Sequence, residues 1–209
     1  MAGMKVSYIT IEREYGSGGT EIARRLAEAA GVPCYGREVL EEVSKKYDIS
    51  PEGIDQYEET VSNSFLYTVF LMGQVQSGKT DALTKEGHIF VAEQAAIQQL
   101  AARGPAVFLG HCASQALKKY SGVVRAFIRS SDPQAKRRRA VAEYGVGEKD
   151  AEAVMKRFDK KRANYYFANT SKKWMDYSNY DIILDSGSLG IEGCVRALRG
   201  LLEDPAFQK

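Results

Sequence analysis

Hydrophobic positions along this chain of 209 residues alternate between short continuous apolar runs and longer stretches in which they recur every three or four residues. Residues 5–11 (KVSYITI) form a β-branched run that predicts a buried strand. Over residues 20–30, Ile22, Ala23, Leu26, Ala27 and Ala30 lie opposite Glu21, Arg24, Arg25 and Glu28, with Gly31 as a stop, which predicts an amphipathic helix. Residues 33–35 predict a short second strand, and 37–46 return to helical spacing. Ser50 before Pro51 is an N-cap with proline at the first helical position, so a further helix is expected from Pro51, within a helical insertion that runs to about residue 85. The spacing then predicts a helix over 90–102 with Phe90, Val91, Ile97, Leu100 and Ala101 as core positions, and a strand over 106–109. Residues 123–128 predict another strand, and Ser131-Asp132-Pro133 caps a helix running to Tyr144. Residues 148–166 predict a helix with Ala151, Val154, Phe158 and Tyr165 on one face. A last strand is expected over 181–185 and a closing helix over 191–202. Apolar strands alternating with amphipathic helices imply a parallel sheet covered on both faces.

In such a sheet ligands sit at the carboxyl ends of the strands. Arg13, Gly16 to Thr20, Tyr35 to Arg37, Gly110, His111, Arg129 and Asp185 all fall there. The stretch Glu12-Arg13-Glu14-Tyr15-Gly16-Ser17-Gly18-Gly19-Thr20 joins the first strand to the first helix. Strand, glycine-rich turn and helix make a phosphate cradle, because glycines let the backbone curl around an anion and the helix N-terminus presents free N–H groups. Against the phosphate-loop pattern GxxxxGK(S/T), Gly18 and Thr20 match, Gly19 stands where the lysine belongs and Arg13 where the first glycine belongs. Either a cation from elsewhere, with Arg13 and Arg24 nearest in sequence, covers the phosphates, or transfer is impaired. Thr20 is the expected Mg²⁺ contact. A second stretch, Gly73-Gln74-Val75-Gln76-Ser77-Gly78-Lys79-Thr80, satisfies the pattern by letter, but no long amphipathic helix follows it.

Composition adds constraints. Hydrophobic content of 44%, charged content of 27% and a formal net charge of +2 are those of an ordinary globular protein. Cys34, Cys112 and Cys194 are odd in number and widely separated, which speaks against a disulfide framework or zinc site. No apolar run approaches the roughly 18 residues of a membrane span, so a cytoplasmic protein with no membrane partner is expected. His88 and His111 lack neighbours at metal-ligand spacing. Two basic stretches, Lys136 to Arg139 and Lys156 to Arg162, read either as solvated faces or as a phosphate-clamping lid, with Glu143 and Asp159 as internal partners. Tyr165, Tyr166, Phe167, Trp174, Tyr177 and Tyr180 read as a loop anchor or as a base-stacking surface.

Several of these strings together carry a resemblance. The stretch Ile9 to Gly19, Pro33-Cys34-Tyr35, Ser64-Phe65-Leu66-Tyr67, Phe108 to Ala113, Asp159 to Tyr166 and Asn179-Tyr180-Asp181 resemble the cytidylate kinase-like family of P-loop proteins. The resemblance spans about residues 5–202 and implies a three-layer α/β fold with a five-stranded parallel sheet of order 2-3-1-4-5. It implies one kinase domain over 1–209, with core segments 4–35, 88–130 and 180–203, a helical NMP-binding insertion at about 36–87 and a lid at about 135–178. It further implies ATP and Mg²⁺ as cofactors, donor phosphates on Gly16, Ser17, Gly18, Gly19 and Thr20, an acceptor site including Tyr35, Arg37 and His111, and Arg157, Lys160 and Arg162 in the lid. Arg13 joins these as the catalytic cation nearest the missing lysine. Two departures fall in the acceptor region: relatives tend to have arginine where this chain has His111 and aspartate where it has Gly36. The expected function is ATP-dependent transfer of the γ-phosphoryl group to a nucleotide or other small acceptor, with no nucleic-acid partner and a homodimer compatible with it. A regulatory nucleotide-binding protein is the alternative that the substitution at Gly19 favours.

Overall fold

The computed structural model describes residues 6–47 and 85–203. In chain order the elements are β1 (Tyr8–Arg13), α1 (Gly19–Ala30), β2 (Cys34–Tyr35), α2 (Arg37–Tyr47), α3 (Lys85–Ala101), β3 (Ala106–Leu109), α4 (Ala113–Ala116), β4 (Val123–Arg129), α5 (Pro133–Tyr144), α6 (Ala151–Thr170), β5 (Ile182–Asp185) and α7 (Ser186–Glu203). All strand pairs are parallel and the order is β2-β3-β1-β4-β5, as expected. The motif at Gly73 to Thr80 and the helix expected from Pro51 lie outside the described residues.

Strand alternation divides the core into two layers. Ile9, Ile11, Val107, Leu109, Ala126 and Ile128 meet Ile22 and Leu26 of α1 and Cys194 and Leu198 of α7. On the other face, Ala106 and Phe108 meet Ala92, Ala96, Ile97 and Leu100 of α3. Each buried Leu or Ile contributes about 1.5–3 kcal/mol of transfer free energy, so these two layers dominate the stabilisation. Helix ends follow local chemistry. Gly31 closes α1 in the left-handed region (φ 65°), donating its N–H to Ala27 and Glu28 carbonyls. Asp132 opens α5 by accepting from the N–H of Gln134 (2.9 Å) and Ala135 (3.0 Å).

Several features differ from the hydrophobic pattern, among them α3, which starts at Lys85 and not at Phe90, and α6, which spans Ala151–Thr170 and not 148–166. β1 runs two residues further, through Glu12 and Arg13, because β4 pairs with it up to the Arg13–Ile128 register. On α3, Val91 is 50% exposed while Ala92 and Glu93 are buried. The stripe Ala92, Ala96, Ile97, Leu100 sets the phase of the helix, and Val91 lies off that stripe. The closing helix begins at Ser186, with a break at Gly190 (φ 67°, ψ 172°). Among the aromatic residues, Trp174 packs edge-on against Phe127 (5.1 Å) and Tyr180 donates its hydroxyl to the Trp174 carbonyl (2.7 Å). These rings anchor the segment after α6 to the sheet. Among the described residues no helix is long and apolar enough to cross a membrane.

The β4–β5 edge is clamped by Arg125, which donates its Nε (2.9 Å) and Nη2 (2.6 Å) to Asp181, while the Arg125 backbone N–H also donates to that carboxylate (2.8 Å). The guanidinium hydrogen bond holds the Asp181 pKa below its ordinary 3.8. A carboxyl with a lowered folded-state pKa contributes stability above its unfolded pKa and loses it as pH falls through the folded value. Both side chains are more than a third exposed, so the pair contributes only about 0.2–1 kcal/mol. Asp181→Asn should therefore lower the melting temperature by a few degrees at pH 7 (about 2–4 °C per kcal/mol), with the deficit shrinking below pH 3.8. Melting curves at neutral and acid pH check this.

Candidate active site

The turn between β1 and α1 owes its shape to glycines. Gly16 (φ 72°) and Gly18 (φ 76°) are left-handed. A Cβ on Gly16 would come within 2.7 Å of the Lys136 carbonyl oxygen, and one on Gly18 would strike the Ile191 side chain. Ser17, fully buried, donates to the Glu14 carbonyl (2.8 Å) and accepts from the Gly19 N–H (3.3 Å). Ser186 at the end of β5 donates its hydroxyl to the Ser17 carbonyl (2.6 Å). The turn is thus held from both sides. Gly18 is the N-cap of α1 and supplies no side-chain acceptor; with the Gly19 N–H taken by Ser17 and Gly16 to Gly19 buried, Thr20 is the residue of this turn that reaches the cleft.

Arg13 occupies the room that a lysine at position 19 would need. A Cβ on Gly19 would lie 2.5 Å from Arg13 Cβ and 2.9 Å from its Cγ. The guanidinium continues across the sheet to the end of β3, where a Cβ on Gly110 would lie 2.5 Å from Arg13 Nη1. Its Nε is buried with no hydrogen-bond partner among the described residues.

Helices α5 and α6 close over the glycine turn. Arg139 Nη1 donates to the Gly16 carbonyl (3.1 Å) and Arg162 Nη1 to the Arg13 carbonyl (3.0 Å). The Tyr15 N–H donates to Asp159 Oδ1 (2.6 Å). Lys136 Nζ bridges Glu14 (3.0 Å) and Asp159 (3.7 Å). The Tyr15 ring stacks on Phe158 at 4.8 Å. Burial, then the nearby Arg13 charge, pushes the Arg162 pKa down to about 10, which leaves it a cation at neutral pH. Burial pushes the Asp159 carboxyl up, opposed by the Tyr15 N–H, Lys136 and Arg162.

A cleft of about 620 Å³ opens at the carboxyl ends of β1 and β3. It brings together Arg13, Thr20, Arg37, His111 and Arg162 with Glu12, Gly36 and Lys161. Tyr35 packs on Phe108 at 5.4 Å beside the cleft and does not line it. Arg157 and Lys160 are exposed on the outer face of α6 and do not line it either; Lys161 does. Two carboxylates belong to this site although the sequence patterns did not single them out as site residues. Glu12 is buried and accepts from Trp174 Nε1 (3.1 Å). Glu93, on α3, is fully buried, accepts the Tyr165 hydroxyl on Oε2 and lies 3.5 Å from His111 Nδ1. Its position on the Ala96, Ile97, Leu100 stripe was the available signal, since an ionisable residue within an apolar stripe is rarely there for packing.

Among family models, the one described as the cytidylate kinase-like family matches residues 8–188. Among solved structures, an uncharacterized protein from Eubacterium ventriosum ATCC 27560 is 26% identical and covers 94% of this chain and 98% of its own, with a TM-score of 0.69. A shikimate kinase from Bacteroides thetaiotaomicron is 12% identical with the same coverage and a TM-score of 0.50, a likeness of fold. No curated protein matches the chain. The sheet order and glycine turn, together with these likenesses, make the fold that of the P-loop NTPases.

The exchange of positions 13 and 19 is testable. Gly19→Lys should destabilise the protein by about 1–3 kcal/mol, the usual cost of overpacking, because its Cβ collides with the Arg13 stem. The double variant Arg13→Gly, Gly19→Lys should recover most of that loss. Urea denaturation of the three proteins checks it; a Gly19→Lys variant as stable as the parent would refute the shared-space argument.

Proposed function

The chain belongs to the cytidylate kinase-like family, and on that premise we propose that it is an ATP-dependent phosphotransferase that moves the γ-phosphoryl group to a small acceptor held in the cleft. One observation carries this reading: four cations, Arg13, Arg37, Lys161 and Arg162, line one cleft beside an uncapped glycine-turn helix N-terminus. Phosphoryl transfer is catalysed chiefly by positioning and by neutralising charge on the moving group, and the helix start at Thr20 with the Arg13 side chain beside it fits a polyphosphate. In this reading Gly16 to Thr20 hold the donor phosphates and Arg13 takes the part of the absent lysine. Arg162 reaches the reacting group from α6, while α5 and α6 act as the lid. The exposed hydroxyl residue Thr20 lines the cleft and is a hard oxygen donor of the kind Mg²⁺ accepts; Mg²⁺, when bound, would neutralise charge on the phosphates. Arg37, at the start of α2, belongs to the acceptor side.

A second reading, a nucleotide-binding regulator that does not transfer phosphate, is favoured by a separate observation. The Asp159 carboxylate of α6 takes the Tyr15 N–H beside the glycine turn, a tie that a lid opening and closing in each turnover would have to break.

Calorimetry with ATP·Mg²⁺, run beside a transfer assay from labelled ATP to CMP, dCMP, UMP, AMP and GMP, separates the two. Binding with transfer supports the enzyme and names its acceptor; binding without transfer rules out these five acceptors and leaves the regulator or an acceptor of another class. Charged hydrogen bonds contribute about 1.5–3 kcal/mol, so Arg13→Ala should weaken ATP binding by roughly 10- to 100-fold. Arg162→Ala should lower turnover more than affinity; equal losses in both would argue against a role confined to transfer.

A further inference from the structure

The side of the cleft away from the glycine turn carries chemistry that a cluster of cations does not need. Gly110 (φ 74°), His111 (φ 54°) and Cys112 (φ 50°) are three consecutive residues in the left-handed region. A residue other than glycine costs about 1–2 kcal/mol there, so the chain bears this strain twice to hold the His111 ring where it is. The ring is 13% exposed and lines the cleft, while its Nδ1 is buried and faces Glu93 Oε1 at 3.5 Å. Glu93 is fully buried, and its other oxygen accepts the Tyr165 hydroxyl. Tyr165, Glu93 and His111 thus lie in series, the first two joined by a hydrogen bond and the last two at ion-pair distance without one. A buried carboxylate at that distance from a histidine favours the protonated form of its ring. With Nδ1 turned to Glu93, the proton acceptor in this proposal is the other ring nitrogen, Nε2.

Resting on the phosphotransferase reading above, we propose that His111 is a general base and that the acceptor is an alcohol or sugar hydroxyl rather than a phosphate. A phosphate acceptor is already an anion and needs no base; it would also have to approach the buried charge of Glu93. A hydroxyl needs its proton removed as it attacks. The acceptor oxygen forms a bond to the γ-phosphorus of ATP, and the bond from that phosphorus to the β,γ-bridging oxygen breaks, its electron pair leaving on ADP. The hydroxyl proton passes to His111 Nε2, and the imidazolium later returns it to solvent. Glu93 and Tyr165 are positioning residues. The titration of the ring is set by every element around it. Glu93 of α3 and Glu12 of β1 favour the imidazolium. Arg13 of β1, Arg37 of α2, and Lys161 and Arg162 of α6 oppose it. Tyr165, Tyr166 and Cys112 complete its surroundings.

Water is the smallest hydroxyl acceptor and serves as the probe. Hydrolysis of ATP·Mg²⁺ by the full chain is measured from about pH 5.5 to 8.5, the range in which histidine titrates, with ATP binding by calorimetry in parallel. The rate should rise with pH as His111 becomes neutral. His111→Asn keeps a side chain that tolerates the left-handed backbone and should lower hydrolysis by about 100-fold or more with ATP affinity unchanged. Glu93→Gln should retain the Tyr165 contact, lower the plateau and move the ascending limb down by about one pH unit or more, because an imidazolium without its carboxylate is more acidic. Bound ATP that is not hydrolysed, hydrolysis flat with pH, or hydrolysis indifferent to His111→Asn would each overturn the base while leaving nucleotide binding standing. Failure of the parent protein to bind ATP would instead overturn the phosphotransferase reading on which the base depends.

Discussion

The site depends on a single constraint of volume: the stem of Arg13 and a side chain at position 19 cannot both exist. With the Arg13 Cβ 2.5 Å from where a Cβ on residue 19 would stand, glycine is required there, and the cation beside that position is Arg13 of β1. The far end of the same side chain packs against Gly110 on the neighbouring strand β3. Gly16 is fixed by the backbone of Lys136 at the start of α5. The glycines of this chain therefore record close approach by protein as much as room for a ligand, and they tie β1, β3 and α5 into one unit.

Charge within that unit is arranged in layers. Beneath α5 and α6, Glu14 and Asp159 balance Lys136 and Arg162, so the basic stretches after Asp132 and Lys149 are partly neutralised where they meet the glycine turn. In the cleft, the cations outnumber the carboxylates, and both carboxylates are buried and oriented, Glu12 by Trp174 and Glu93 by Tyr165. A buried charge without a partner costs several kcal/mol, so such pairing is required before any ligand arrives. The surplus of positive charge is what an anionic ligand can use. The aromatic residues after α6 serve this arrangement, because Trp174, packed on Phe127, carries the donor that aims Glu12.

The sequence by itself determined the fold. Periodicity and helix stops located the core strands and helices to within a few residues, and the glycine turn, the cap at Asp132 and the position of His111 on the β3 turn were legible because each is a local matter of spacing and backbone conformation. Strand order followed from the family resemblance. Tertiary structure decided which charged side chains converge. Arg157, Lys160, Lys161 and Arg162 are near neighbours in sequence, yet only the last two line the cleft, because the stacking of Phe158 of α6 on Tyr15 sets which face of the helix turns inward. Glu93 meets His111 across two elements, and Arg13 reaches Gly110 across two strands. Contacts of that kind depend on sheet register and helix rotation, which pairs of residues distant in sequence set jointly and which no local pattern encodes.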